Sequence, residues 1–125
     1  MAVRGYIQTA MTQIQSALAD IDKQNNASRQ DTENTKRQLQ HDITTLEMER
    51  GRDQIEADGL SDENHKRGLL AKVSQLNREI DTKKAQMNQA DSDVSRDVQG
   101  RVQLQKDLFD MNARLTHIMS SPGVN

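Results

Sequence analysis

The chain has 125 residues, of which 33% are hydrophobic, 2% aromatic and 29% charged, and its net charge is −2. A globular domain of this size usually carries about 45–50% apolar residues, so the composition excludes a conventional aromatic-rich core. It favours long helices that bury a narrow apolar seam over disorder, because disordered chains are usually richer in proline and this chain has one.

The first predicted element is a helix over about residues 5–57. From Ile7 onward its seam residues recur at alternating steps of four and three, which is the repeat of a left-handed coiled coil. The repeat is clean at its start, but its apolar phase slips by one residue near Ile43, as at a stutter. The predicted seam of this helix consists of Ile7, Met11, Ile14, Leu18, Ile21, Asn25, Ser28, Thr32, Thr35, Leu39, Asp42, Leu46, Glu49 and Asp53.

A turn is predicted over residues 58–61, where stop and start signals for helices lie close together. Gly59 suits the left-handed residue that ends a helix. Ser61 suits the N-cap of the next helix, whose positive end Asp62 and Glu63 would then stabilise. The two signals together favour a tight turn between two helices.

The second predicted helix covers about residues 62–119 and keeps one heptad phase throughout. It should stop before a frayed tail over residues 120–125, because Pro122 cannot continue a helix and Gly123 disfavours one. The predicted seam of this helix consists of Leu69, Val73, Leu76, Ile80, Lys83, Met87, Ala90, Val94, Asp97, Arg101, Leu104, Leu108, Met111, Leu115 and Ile118.

The fold class predicted from these elements is all-α, a long antiparallel two-helix coiled-coil hairpin that forms a single domain over residues 1–125. The alternative is one continuous parallel helix, in which Gly59 would cost only about 1 kcal/mol. Folding the chain back about Ser61 brings the two seams together. In that register Leu18 faces Leu104 and Asn25 faces Asp97.

The middle of the predicted seam is polar. Asn25, Ser28, Thr32 and Thr35 occupy seam positions there, and polar residues at such positions lower stability. One interpretation is a tolerated soft stretch between two well-packed ends. The other is a flexible joint, or an opening that a helix from a partner enters.

The open end of the hairpin, formed by residues 5–19 and 104–119, shows a wider apolar stripe than a two-helix coil needs. No residue from Gly5 to Ala19 is charged. Widened stripes are typical of helix bundles, so we expect this end to dock onto a second copy, onto a partner protein or, least in keeping with its few basic residues, onto a membrane surface. The candidate interaction residues are Tyr6, Ile7, Met11, Ile14, Leu18, Val98, Val102, Leu104, Leu108, Phe109, Met111, Leu115, Ile118 and Met119.

No pattern in the chain predicts catalysis, a cofactor or a metal site. His41, His65 and His117 are far apart in the sequence, and there is no cysteine. The carboxylates are interpreted as solvated flanks of the helices. We therefore expect a protein that is not an enzyme and has no small-molecule substrate.

The leading functional hypothesis is a structural or scaffolding coiled-coil protein that acts through protein–protein interaction and self-associates through its open end. The alternative is an adaptor or holdase-type chaperone that binds a client helix. A third is a rod associated with a membrane surface or with nucleic acid, although mixed charges without a basic patch disfavour nucleic acid. Without a recognisable signal peptide or membrane-spanning segment, a cytoplasmic location is expected.

Overall fold

The computed structural model describes residues 2–123 and contains two helices, α1 over Ala2–Asp58 and α2 over Glu63–Met119. The two helices pack against each other, so the chain is an all-α helical hairpin, as the sequence predicts. Helix α1 begins three residues before Gly5, which lies inside the helix and accepts a hydrogen bond of 3.0 Å from Thr9 Oγ1 at its carbonyl oxygen.

The predicted left-handed conformation of Gly59 is wrong. Gly59 N donates to the carbonyl oxygens of Ile55 and Glu56, both at 3.2 Å, so the hydrogen bonds of α1 continue to this residue. Among residues 2–123 only Gly123 has a positive φ, of 90°. The chain therefore leaves α1 without the conformation that only glycine adopts readily.

The N-cap of α2 is Asp62 and not, as predicted, Ser61. Asp62 Oδ1 accepts hydrogen bonds from the backbone N–H groups of Asn64 at 3.0 Å and His65 at 3.4 Å. The first intrahelical bond, from Lys66 N to Asp62 O, is 2.9 Å long. A carboxylate caps this end well because it satisfies free N–H groups and also interacts with the positive end of the helix dipole. Ser61 lies with Gly59 in the connection between the helices.

Helix α2 ends at Met119, where the sequence predicts its end. Ser120 N still donates to Thr116 O at 3.1 Å, and Ser121 N closes a tighter turn onto Ile118 O at 3.0 Å. Of the tail predicted to fray, residues 120–123 form turns and a bend, and residues 124–125 lie outside the described residues.

The hairpin divides into two compact units, each containing a segment of both helices. Unit 1 comprises residues 2–30 and 94–123 of the described chain, and unit 2 comprises residues 31–93. In unit 2 the core centres on Ile43 and Ile80, which are 2% and 1% exposed. Each such side chain contributes about 1.5–3 kcal/mol when it is fully buried. In unit 1 the buried apolar side chains are Ile7, Ile14 and Ile21.

The register of unit 2 differs from the predicted one. Ile43 is buried where the heptad pattern predicts Asp42, and Asp42 Oδ2 instead lies 3.8 Å from Lys83 Nζ. The shift by one residue is already present at Lys36, which is partly covered, whereas Thr35, the predicted seam residue, is exposed. The slip predicted near Ile43 therefore occurs earlier, between Thr32 and Lys36.

The register of unit 1 is also shifted. Asn25, predicted to face Asp97, accepts a hydrogen bond from Arg101 instead. Opposite Asp97 the amide of Asn25 would lie beside a partly buried carboxylate without a cation, which is costly. The shift turns α2 so that its covered positions in unit 1 are Val94, Val98, Arg101, Gln105, Leu108, Asn112, Leu115 and Met119.

Candidate interaction surface

A polar layer crosses unit 1 between its two helices. Arg101 Nη1 donates to Ser28 Oγ at 2.8 Å and to Asn25 Oδ1 at 3.4 Å. Asn25 is only 4% exposed, so its carbonyl oxygen depends on this partner. One turn away, Gln105 Nε2 donates to Asp22 Oδ1 at 2.7 Å. Polar layers of this kind fix the alignment of coiled-coil helices because other alignments leave buried polar groups unpaired.

Eight of the fourteen predicted interaction residues lie between the helices of unit 1. They are fully or half buried, and they pack between α1 and α2. This inner group consists of Ile7, Met11, Ile14, Leu18, Val98, Leu108, Leu115 and Met119.

The other six predicted residues are exposed to solvent. Their exposed fractions range from 42% for Ile118 to 75% for Tyr6. Val3, which the sequence analysis missed, is exposed to 57% on the same unit. This outer group consists of Tyr6, Val102, Leu104, Phe109, Met111 and Ile118.

The outer residues of α2 form two stripes with seven-residue spacing, and residues at this spacing share a helix face. Leu104, Met111 and Ile118 form the outer stripe, and Val102 and Phe109 form the opposite stripe. Because an α-helix turns about 100° per residue, the two stripes lie on opposite flanks of the side that faces α1. The heptad repeat predicts the outer stripe inside the seam, and this prediction is wrong, since all three of its residues are exposed.

Two small residues of α1 lie beside the outer stripe. The bond between Asp22 and Gln105 joins the flanks of the two helices on the side of the opposite stripe. Ala10 and Ala17 occupy the other flank of α1 and are half covered although neither is a seam position. They were missed because alanine adds little to an apolar pattern, and the signal that could have revealed them is their seven-residue spacing in the uncharged segment.

Two opposite charges border the outer stripe on the side away from α1. Asp107 and Arg114 lie seven residues apart there. With Asp110 and Met111 they line a shallow depression of about 290 Å³. Asp107 Oδ1 accepts a bond of 3.1 Å from Gln103 within α2, whereas Arg114 forms no ion pair with any residue from 2 to 123.

The charged pairs of unit 2 connect its helices. Lys72 Nζ lies 3.1 Å from Glu49 Oε1 and 3.3 Å from Asp53 Oδ2. Asp53 is buried, and its Oδ2 accepts no well-aligned hydrogen bond from the described residues. The hydrogen bond with Glu49 and the interactions with Asp53 raise the pKa of Lys72 above its ordinary value of 10.5.

A second lysine of unit 2 is paired in the same way. Lys36 Nζ lies 3.1 Å from Asp91 Oδ1, and the hydrogen bond and charge of Asp91 raise the pKa of Lys36. Both lysines are anchored by acids of the facing helix. We therefore interpret these charges as links between the helices of unit 2 rather than as a binding site.

The described residues include no group of three or more histidine, aspartate or glutamate side chains placed to hold a metal ion. A surface depression of about 430 Å³ on unit 2 is lined by residues 75–86 of α2 alone, so it is a groove along one helix. Within residues 2–123 neither helix has an apolar stretch long enough to cross a lipid bilayer.

Comparison of the chain with models of protein families, with curated proteins and with solved structures finds no match.

Proposed function

We propose that the chain is a structural coiled-coil protein that acts through protein–protein interaction and self-associates through unit 1. The observation that carries this proposal is the distribution of exposed apolar side chains. Ten large hydrophobic residues are exposed among residues 2–123, and seven of them belong to unit 1 although the two units are similar in size. Concentrated apolar surface of this kind marks interaction sites, because burying it contributes about 25 cal/mol per Å².

The electrostatics of unit 1 support the proposal. No charged side chain lies between Gly5 and Ala19, so this part of α1 can be buried without removing an ion from water, which is the largest cost of forming an interface. Unit 2 differs, because its flanks carry the paired lysines and acids described above. Docking at unit 1 therefore costs less than docking at unit 2.

The test is the mass of the full chain in solution, measured by light scattering over a wide range of concentrations. We expect a dimer or a larger assembly. A variant with Leu104→Glu, Phe109→Glu and Met111→Glu should shift towards monomer, because it charges both flanks of α2. The matched control, Met48→Glu with Ile55→Glu and Leu70→Glu, charges three exposed apolar residues of unit 2 and should leave the mass unchanged.

Circular dichroism of both variants should show unchanged helix content, because the substituted side chains are exposed. A wild-type chain that stays monomeric at high micromolar concentration would contradict self-association. That result would favour the alternative, an adaptor or holdase that binds a client helix on the same surface.

A further inference from the structure

We propose that two copies of the chain pair in antiparallel orientation through their outer stripes, about a twofold axis near Met111. This inference rests on the proposed self-association and names its surface and geometry. The surface consists of the outer stripe of α2 with Ala10 and Ala17 of α1 beside it.

The outer stripe completes a second seam on α2. Leu104, Met111 and Ile118 alternate with Leu108 and Leu115 at steps of three and four, which is the spacing of a coiled-coil seam. Helix α1 half covers Leu108 and Leu115 but leaves the other three exposed to between 42% and 50%. A helix lying along the outer stripe would find a complete set of apolar contacts, and the same helix of a second copy offers a matching set.

Helix α1 leaves room for a second copy beside the outer stripe. Beside the outer stripe, α1 presents Ala10 and Ala17 and no charged side chain over residues 5–19. Small residues allow helices to approach closely, so the α1 segments of two copies can follow their α2 segments into contact. The product is a four-helix bundle built from two hairpins.

The charges beside the outer stripe favour one orientation of the two copies. Asp107 and Arg114 border the outer stripe on either side of the level of Met111. An antiparallel twofold arrangement places Asp107 of each copy near Arg114 of the other, which gives two ion pairs. A parallel twofold arrangement would place this flank of the two copies on opposite sides of the interface, so neither ion pair would form. The ion pairs therefore favour the antiparallel alignment, and a twofold interface uses one patch on both copies.

Charge reversal tests the ion pairs. Asp107→Arg and Arg114→Asp should each weaken dimerisation about tenfold, measured by sedimentation at low salt, because each turns two attractions into two repulsions. The double variant should restore dimerisation to within about threefold of the wild type, because the pairs re-form with exchanged signs. If the double variant dimerises no better than the single ones, the antiparallel pairing is wrong.

Cysteine cross-linking tests the orientation, since the chain has no cysteine of its own. Met111→Cys should form a disulfide-linked dimer because residue 111 lies near the axis. Leu104→Cys alone should not, because the two copies of this residue would be about 20 Å apart along the helix. Mixing the Leu104→Cys and Ile118→Cys chains should give the mixed dimer. Efficient cross-linking of Leu104→Cys with itself would establish a parallel pair and overturn the proposal.

A matched pair of variants separates this inference from the proposed function. Met111→Lys, in the outer stripe, should give monomers, whereas Phe109→Lys, in the opposite stripe and similarly exposed, should still dimerise. Loss of the dimer with Phe109→Lys but not with Met111→Lys would overturn the outer-stripe interface and leave self-association standing. A monomeric wild type would overturn both.

Discussion

Arg101 Nη1 on α2 donates a hydrogen bond of 2.8 Å to Ser28 Oγ on α1, and the same nitrogen lies 3.4 Å from Asn25 Oδ1. One guanidinium thus satisfies two polar side chains of the facing helix, one of them buried. Hydrogen bonds to a charged group are stronger than neutral ones. This layer gives unit 1 a specific alignment that its apolar residues alone would not select.

Replacing Arg101 with leucine should destabilise the chain by about 1–3 kcal/mol, because Asn25 would remain buried without its partner. Chemical denaturation at a fixed protein concentration measures the change. Arg29→Leu is the control, since the side chain of Arg29 is exposed and forms no hydrogen bond or ion pair within the described chain. Adding Asn25→Leu and Ser28→Ala to Arg101→Leu should recover most of the loss, because an apolar layer tolerates burial. Equal stability of Arg101→Leu and the wild type would show that the layer contributes nothing.

The register of unit 1 can be tested by cross-linking within one chain. Leu18 precedes Asn25 by seven residues and Leu108 follows Arg101 by seven, so the polar layer places Leu18 opposite Leu108. Leu18→Cys with Leu108→Cys should therefore form an intramolecular disulfide, which requires Cα atoms about 4.4–6.8 Å apart. Mass spectrometry of the monomer fraction detects the link.

The matched control for this register is Leu18→Cys with Leu104→Cys. Residue 104 is about half exposed on the outer stripe, so this pair should link poorly. Preferential linking of the control pair would show that Leu18 faces Leu104, as the apolar repeats predict.

Asp62→Ala should lower the stability of the chain by about 1 kcal/mol, because two backbone N–H groups at the start of α2 lose their acceptor. Ser61→Ala should change it by only a few tenths of that amount, since Ser61 does not cap the helix. Thermal unfolding of the two variants side by side measures both effects. If Ser61→Ala lowered the stability more than Asp62→Ala, Ser61 rather than Asp62 would be the N-cap.

The contribution of Lys72 to stability should disappear at high pH. Its hydrogen bond to Glu49 and its pairing with Asp53 raise its pKa in the folded chain above 10.5, so the fold binds this proton more tightly than the unfolded chain does. The contribution is complete below pH 10.5 and is lost as the pH rises through the higher folded pKa. The difference in melting temperature between the wild type and Lys72→Met should be constant near neutral pH and shrink above that value.

Lys106→Met is the control for Lys72. Lys106 is exposed and unpaired within residues 2–123, so its replacement should give no difference at any pH. A Lys72→Met difference that persists unchanged to the highest accessible pH would show that packing of the side-chain stem, rather than its charge, stabilises unit 2.

The hairpin and the approximate ends of its helices could be predicted because they depend on local signals: a sustained 3.5-residue repeat, turn-forming residues over 58–61 and a stop at Pro122. The details of the turn could not, since Gly59 is not left-handed and Asp62 rather than Ser61 caps α2. The register could not be predicted, because a seven-residue repeat fits itself at several offsets and the apolar residues of unit 1 satisfy more than one. The hydrogen bond between Arg101 and Asn25 stabilises one of these offsets over the others. A pattern of apolar residues does not reveal such a bond.

The error in register also explains why some residues of the interaction surface were predicted inside the seam although they are exposed. The sequence indicates a surplus of apolar residues at the open end, and unit 1 carries that surplus on its surface. It could not indicate that Leu104 and Met111 lie outside while Gln105 and Asn112 lie against α1. That assignment follows from the rotation of α2, which only the packed pair of helices determines.

The partly covered Asn112, whose Oδ1 has no hydrogen-bond partner among the described residues, gives this rotation an energetic consequence. Unit 1 excludes three large apolar side chains from its seam and accepts an unsatisfied amide in exchange, so its native contacts are not mutually optimal and the segment is locally frustrated. Turning α2 to bury these side chains would separate Arg101 from the buried Asn25, so the polar layer keeps them outside. A partner that covers the outer stripe would therefore relieve this frustration without changing the register of the hairpin.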